Sequence, residues 1–148
     1  MTPELERMHE ALDMMRAGVL KKLAGLSEDE ARSTVPTGTN VAGLVQHLTF
    51  VESLWFEEIV AGRKQSRGLR TMLVDPAVSL HELRQEYREA CATSDEIIAS
   101  IGDPDAEVIR NGKQHDLRWA MLHVIWETAR HAGQADIIRE QIDGLTGM

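Results

Sequence analysis

Residues 123 to 140 read HVIWETARHAGQADIIRE and place His123, Glu127 and His131 at four-residue intervals. On an α-helix, residues four apart stack on one face, so these side chains can converge. With a helix turning about 100° per residue, Glu127 lies roughly 40° and His123 roughly 80° from His131 on the same side. A carboxylate turned inward needs a cationic partner, and a metal ion or an imidazolium would serve. Zinc accepts imidazole nitrogen and carboxylate oxygen, and its catalytic sites usually take three protein ligands and keep a fourth position open. Glu127 and His131 would supply two, with a third from another helix. His47 is the best candidate, because it flanks an apolar helical seam, whereas His9, His81 and His115 sit among polar residues. The competing reading is a hydrogen-bonded Glu127–His131 pair with His47 in ordinary packing, and Glu-x-x-x-His spacing alone does not separate the two. His123 has three readings: a ligand, a hydrogen-bond partner of a ligand, or filler of a helix interface.

The elements that must position these residues follow from apolar periodicity. Leu5, Met8, Leu12, Met15, Val19 and Leu23 mark a first helix ending near Gly25. A loop with one short helical turn before Pro36 leads to a second helix, capped by Thr39 or Asn40, which carries Val41, Leu44, Leu48, Val51 and Trp55 inward until Gly62. The stretch GRKQSRGLRTMLVDPAV has no helical period and reads as a long connection of the kind often tied to function. Ser79 and Glu82 form a plausible capping box for a third helix through Leu80, Leu83, Tyr87, Cys91 and Ile98. Asn111-Gly112 marks a turn, with room for a minimal hairpin. Leu117, Met121, Val124, Thr128, His131, Ala135, Ile138 and Ile142 then define the last helix. Four long helices with long crossings predict an all-α fold, an antiparallel four-helix bundle whose site is built between facing helices.

Bulk properties narrow the function classes. The chain has 148 residues, 43% of them hydrophobic, which suits one domain spanning 1–148 with one sizeable core. Its 16 Lys and Arg against 24 Asp and Glu give a net charge of -8, arguing against nucleic acid as a partner. No apolar run approaches the roughly 18 to 20 residues of a membrane span, and the N-terminus lacks a secretion signal. A single cysteine, Cys91, reads as a small packing residue and suits a reducing, cytoplasmic location. Trp55, Trp119 and Trp126 read as core or subunit interface, with a pocket wall as the alternative, and apolar helix faces raise the expectation of a homodimer. Arg63, Lys64, Arg67 and Arg70 form a basic run that reads as a solvated loop or an anion-holding one. Arg130 and Arg139 are open to a surface ion-pair reading.

The segments VAGLVQHLTFVESLWF and LRWAMLHVIWETARHAGQADIIREQIDG together resemble the DinB/YfiT-like metalloenzyme superfamily. Within it the chain is most similar to the branch that includes mycothiol-dependent maleylpyruvate isomerase and related thiol transferases. The resemblance implies a four-helix bundle whose metal is held by one His on the second helix and two ligands four residues apart on the last. In many members the last two are both His; in the isomerase branch the first is Glu. The matching residues here are His47, Glu127 and His131, followed by Gly133 and Gln134.

Two imidazoles and one carboxylate around Zn²⁺ leave about one unit of positive charge, which acts on whatever enters the open position. A low-molecular-weight thiol would be held as thiolate and could attack a small electrophile, giving an S-transferase or a thiol-dependent isomerase. Bound water would instead describe a metal-dependent hydrolase. A third expectation is a non-enzymatic, metal-stabilised bundle that binds a small ligand or a partner protein. Zinc is the first expectation for the ion, with nickel or iron also suited to the ligand set. Without an ion, Glu127 is expected to be a poorly compensated inward carboxylate, so that its removal should not weaken the metal-free protein.

Overall fold

The computed structural model describes residues 1–147. Helix α1 (Pro3–Leu23) starts where Thr2 Oγ1 accepts from the Leu5 amide at 3.2 Å, with Pro3 in the first turn, where its missing N–H costs nothing. After it comes the short α2 (Glu28–Arg32), opened by a reciprocal capping box between Ser27 and Glu30. Asn40 caps α3 (Val41–Glu52) through the Gly43 amide, 2.7 Å away. The same rod continues as a π-helical segment, Ser53–Val60, a widening that the 3.6-residue apolar period did not reveal. Helix α4 (Leu80–Ile101) begins at Ser79, whose hydroxyl accepts from the Glu82 amide. Strands β1 (Glu107–Arg110) and β2 (Lys113–Asp116) make the hairpin, pairing Glu107 with Asp116 and Arg110 with Lys113. Its turn takes φ 52° at Asn111 and 75° at Gly112, the left-handed pair that a two-residue hairpin loop requires. Helix α5 (Leu117–Asp143) follows directly, capped by Asp116.

The direction of each long helix can be read from two buried clusters stacked along the molecule. One gathers Val19 and Leu23 of α1, Leu44 and Leu48 of α3, Leu83 and Tyr87 of α4, and Ala135 and Ile138 of α5. The other gathers Leu5 and Leu12, Val51 and Trp55, Ile97 and Ile98, and Leu117 and Met121 from the same four rods. Helices α1 and α5 therefore run from the second cluster to the first, while α3 and α4 run the opposite way. Antiparallel alternation is thus not uniform: α1 and α5 are parallel, as are α3 and α4. The cause is the connection 61–79, which must return the chain along the whole length of α3 before α4 can begin.

That connection is strapped to α3 rather than freely solvated. Gln46 Nε2 donates to the Thr71 and Leu73 carbonyls at 2.9 and 3.0 Å, and Ser66 Oγ donates to Glu57 Oε2 at 2.9 Å. Gly68, at φ 70°, lies so close to α3 that a Cβ there would sit 2.4 Å from the Phe50 amide nitrogen. Between the two clusters, buried Arg16 makes a bidentate pair with Glu52, both contacts 2.7 Å, and reaches Asp13 and Asp95 at 2.8 Å. This fastens α1 to α3 and α4. Arg139 makes the ion pair its sequence reading offered, with Asp143 at 2.9 Å, but is buried and not on the surface: its guanidinium also donates to the Lys22 and Ala24 carbonyls at the open end of α1.

Candidate metal centre

Helices α3 and α5 bring His47, Glu127 and His131 together, each half-buried, with one ligand atom from each residue inside 4.8 Å of the others. His47 Nε2 lies 3.6 Å and His131 Nε2 4.0 Å from Glu127 Oε1. The two imidazole rings meet edge to face at 4.7 Å. Donor atoms around a tetrahedral zinc with bonds of about 2.0–2.1 Å stand roughly 3.4 Å apart, so this trio needs only a modest contraction to fit one.

The outer nitrogens settle what the inner ones present. His47 Nδ1 lies 3.3 Å from the Arg70 carbonyl, which can only accept, so Nδ1 carries the proton. His131 Nδ1 donates to Gln134 Oε1 at 2.7 Å, the next turn of the same helix. Both rings thereby turn Nε2 toward Glu127, as metal-bound histidines do when their far nitrogen is anchored. Burial pushes the His131 imidazole below its ordinary pKa, keeping it neutral at pH 7. Hydrogen bonding to His47, with electrostatic support from the neighbouring imidazoles, holds the Glu127 carboxyl below the usual range and so ionised. A carboxylate and two imidazole nitrogens directed at one point form a donor set that suits a divalent cation.

His123 does not join the trio but faces the other carboxylate oxygen, Nε2 to Glu127 Oε2 at 3.2 Å. Its ring stacks on buried Trp55 at 4.0 Å, and the far side of that indole carries Arg110 of the hairpin at 4.7 Å. Of the three sequence readings, a contact with Glu127 and the filling of a helix interface both describe this geometry. Glu127 is consequently not the poorly compensated carboxylate expected from sequence, since three imidazoles surround it and its side chain is 27% exposed. The stack on Trp55 and the Arg70 carbonyl carry no sequence signal, because both partners come from distant segments. Gln134 did have one, the three-residue step from His131.

The trio opens onto a cleft of about 330 Å³ lined by His47, His123, Trp126, Glu127, Arg130 and His131. Of the three tryptophans, Trp55 is core and Trp126 is 54% exposed at this cleft. The basic run stays apart from it: Arg67 pairs with Glu89 at 2.7 Å, and Arg70 contributes its carbonyl. Cys91 is partly buried and its thiol is pushed up by that burial, which fits packing and not nucleophilicity. A second group, His9, Asp13 and Asp95, has metal-like spacing, but the Arg16 guanidinium already supplies the positive charge between its two carboxylates.

A family model described as mycothiol-S-transferase matches residues 7–144. Among solved structures, a conserved protein of an Enterococcus faecalis locus aligns with a TM-score of 0.72 at 16% identity, covering 98% of this chain and 100% of that one; at this identity the likeness concerns the fold alone. No curated protein matches the chain.

Proposed function

The chain belongs to the mycothiol-S-transferase family, of DinB-like type, and on that premise we propose that it is a divalent-metal-dependent thiol S-transferase acting on a small electrophile, built as one four-helix-bundle domain. The observation that carries this reading is the convergence of two imidazole Nε2 atoms and an ionised carboxylate in an open cleft.

His47, Glu127 and His131 would hold the ion, zinc first and nickel or iron also suited to these donors. Such an ion supplies Lewis acidity, enough to keep a thiol ionised at neutral pH. The chain's own part is orientation. The Arg70 carbonyl and Gln134 fix the two rings, and His123, stacked on Trp55, engages the second oxygen of Glu127. In the open cleft the thiol sulfur would meet the electrophile, so that a sulfur–carbon bond forms while the leaving group departs into solvent. A thiol-dependent isomerisation would instead add the thiolate to a conjugated double bond, allow rotation about the resulting single bond, and eliminate the thiolate to restore the double bond.

The test is elemental analysis of the purified protein, then thiol consumption with mycothiol and an alkyl halide. We expect about one metal per chain, activity only with thiol present, and loss of both metal and activity in His47→Ala and His131→Ala. Ester or amide hydrolysis without thiol, abolished by Glu127→Gln, would move the assignment to a hydrolase. Full metal occupancy in both histidine variants would show that the ligands lie elsewhere.

A further inference from the structure

The cleft has a second polar feature that the metal-ligand trio does not use. Arg130 is its one lining guanidinium, and among the described residues it makes no ion pair; its charge rests over the Trp126 ring at 5.6 Å. Trp126 is 54% exposed, and its other neighbour is the edge of His123, at 5.1 Å and 85°. A large indole left open to water beside a cleft, with an unpaired cation stacked on it, has no packing rationale. In a chain of net charge -8 the guanidinium's natural partners are plentiful, yet none of them reaches it.

We propose that Trp126 and Arg130 form the subsite for the electrophile, and that it selects a flat anionic molecule: a carboxylate conjugated to an unsaturated or aromatic plane. The guanidinium presents a planar fork matched to a carboxylate, and the indole presents a face matched to a conjugated plane. A cation already held over that face is preorganised to meet both parts of one ligand. Position i and i+4 on α5 keeps the pair one turn apart, beside Glu127 and His131 on the same helix. The cleft volume of about 330 Å³ suits a small ligand. This inference rests on the transferase reading for the word electrophile, but the recognition chemistry stands on Trp126 and Arg130 alone.

Binding without reaction separates the two. Calorimetric titrations would use 4-methylbenzoate, which is flat and anionic; 4-methylbenzamide, flat and neutral; and N-acetylalaninate, a saturated carboxylate without a conjugated plane. Each is run on the protein as purified and after chelation, since a carboxylate can also coordinate a metal. We expect 4-methylbenzoate to bind at least about tenfold more tightly than either other probe in both forms, a difference of roughly 1.4 kcal/mol. Arg130→Gln, at an exposed position, should erase the preference over the amide, and Trp126→Ala the preference over N-acetylalaninate. Addition of salt should weaken the first preference and leave the second. Equal binding of the benzoate and the amide, a preference that survives Arg130→Gln, or one present only with metal would each overturn the proposal. With thiol added, 4-(chloromethyl)benzoate should outpace 4-(chloromethyl)benzamide as substrate. The thiolate sulfur bonds to the benzylic carbon, chloride leaves with the bonding electrons, and the thiol proton passes to solvent. Selective benzoate binding with no thiol transfer from either chloride would retire the transferase reading while leaving the carboxylate subsite intact.

Discussion

Replacing Glu127 with Gln keeps the side chain's shape and removes its charge, so it probes the trio in both metal-bound and metal-free protein. Metal that binds only the native state adds RT ln(1 + [L]/Kd), roughly 2.7 kcal/mol at about 100 times the dissociation constant. For a domain of this size about 1 kcal/mol moves the melting temperature by roughly 2–4 °C, so excess zinc should raise that of the wild type by roughly 5–11 °C. In chelated protein the carboxylate faces His47, His131 and His123 at 3.6, 4.0 and 3.2 Å and is partly solvated, so losing its charge should cost about 1 kcal/mol, or roughly 2–4 °C. The variant should also lose most of the zinc increment, leaving the zinc-loaded proteins roughly 7–15 °C apart. The assay is thermal unfolding followed by circular dichroism, each protein with chelator and with excess zinc. An equal zinc increment in both would remove Glu127 from the ligand set. A chelated variant more stable than chelated wild type would restore the poorly compensated carboxylate expected from sequence. Loss of helical signal on chelation of the wild type would make the ion structural.

The pH dependence has a definite sign. His131 and Glu127 both have native-state pKa values below their ordinary ones, so each contributes stability above its unfolded-state pKa that is lost as pH falls, beginning near about 6.5 for the imidazole and about 4.3 for the carboxyl. Chelated protein should therefore lose melting temperature between pH 7 and 5, and His131→Gln should flatten that decline; an identical slope would count against the neutral imidazole. Glu52→Gln breaks the buried bidentate pair with Arg16 and should cost about 3–5 kcal/mol in urea unfolding, with a loss below about 1 kcal/mol refuting its buried-charge role. Gly68→Ala forces a Cβ against the Phe50 amide at positive φ, and should cost about 1–3 kcal/mol by the same measurement. Because it displaces the strap that delivers the Arg70 carbonyl, it should also weaken zinc binding about 10–100-fold in a chelator competition; unchanged affinity would show that the strap does not orient His47.

Local signals were the legible ones. The heptad-like seam of α5 places Leu117, Met121, Val124, Thr128, Ala135 and Ile138 inside, and the Asn111-Gly112 pair makes the hairpin it announced. The four-residue step from Glu127 to His131, with His47 beside its own seam, nominated the residues that the fold brings together, but spacing alone did not separate a ligand set from a hydrogen-bonded pair, and the family resemblance tipped the reading. Partners supplied from far along the chain were not legible. Arg139 looked like a surface charge because the α1 carbonyls it caps are 115 or more residues away. Arg16, Asp95 and Glu52 lie in three different helices, so their network has no spacing to detect. The capping box was sought at Ser79 and Glu82, where the Ser79 half is seen, while the reciprocal pair is Ser27 and Glu30. Helix direction was missed because periodicity reports which face is buried and says nothing of which end comes first.

The contacts between α3 and α5 obey a simple rule of position. His47 meets His131, and Trp55 on the π-helical continuation meets His123, eight residues further on one rod and eight residues back on the other. The two rods are thus rungs of one ladder with matched spacing, and the site occupies the interval between the rungs. Length changes in that interval are therefore coupled. Inserting or deleting one residue between positions 47 and 55 would detach one rung unless α5 changed by the same count between 123 and 131. Loops elsewhere can grow or shrink independently, but these two nine-residue stretches can vary in length only together, so natural length variation across this fold should be concentrated outside them.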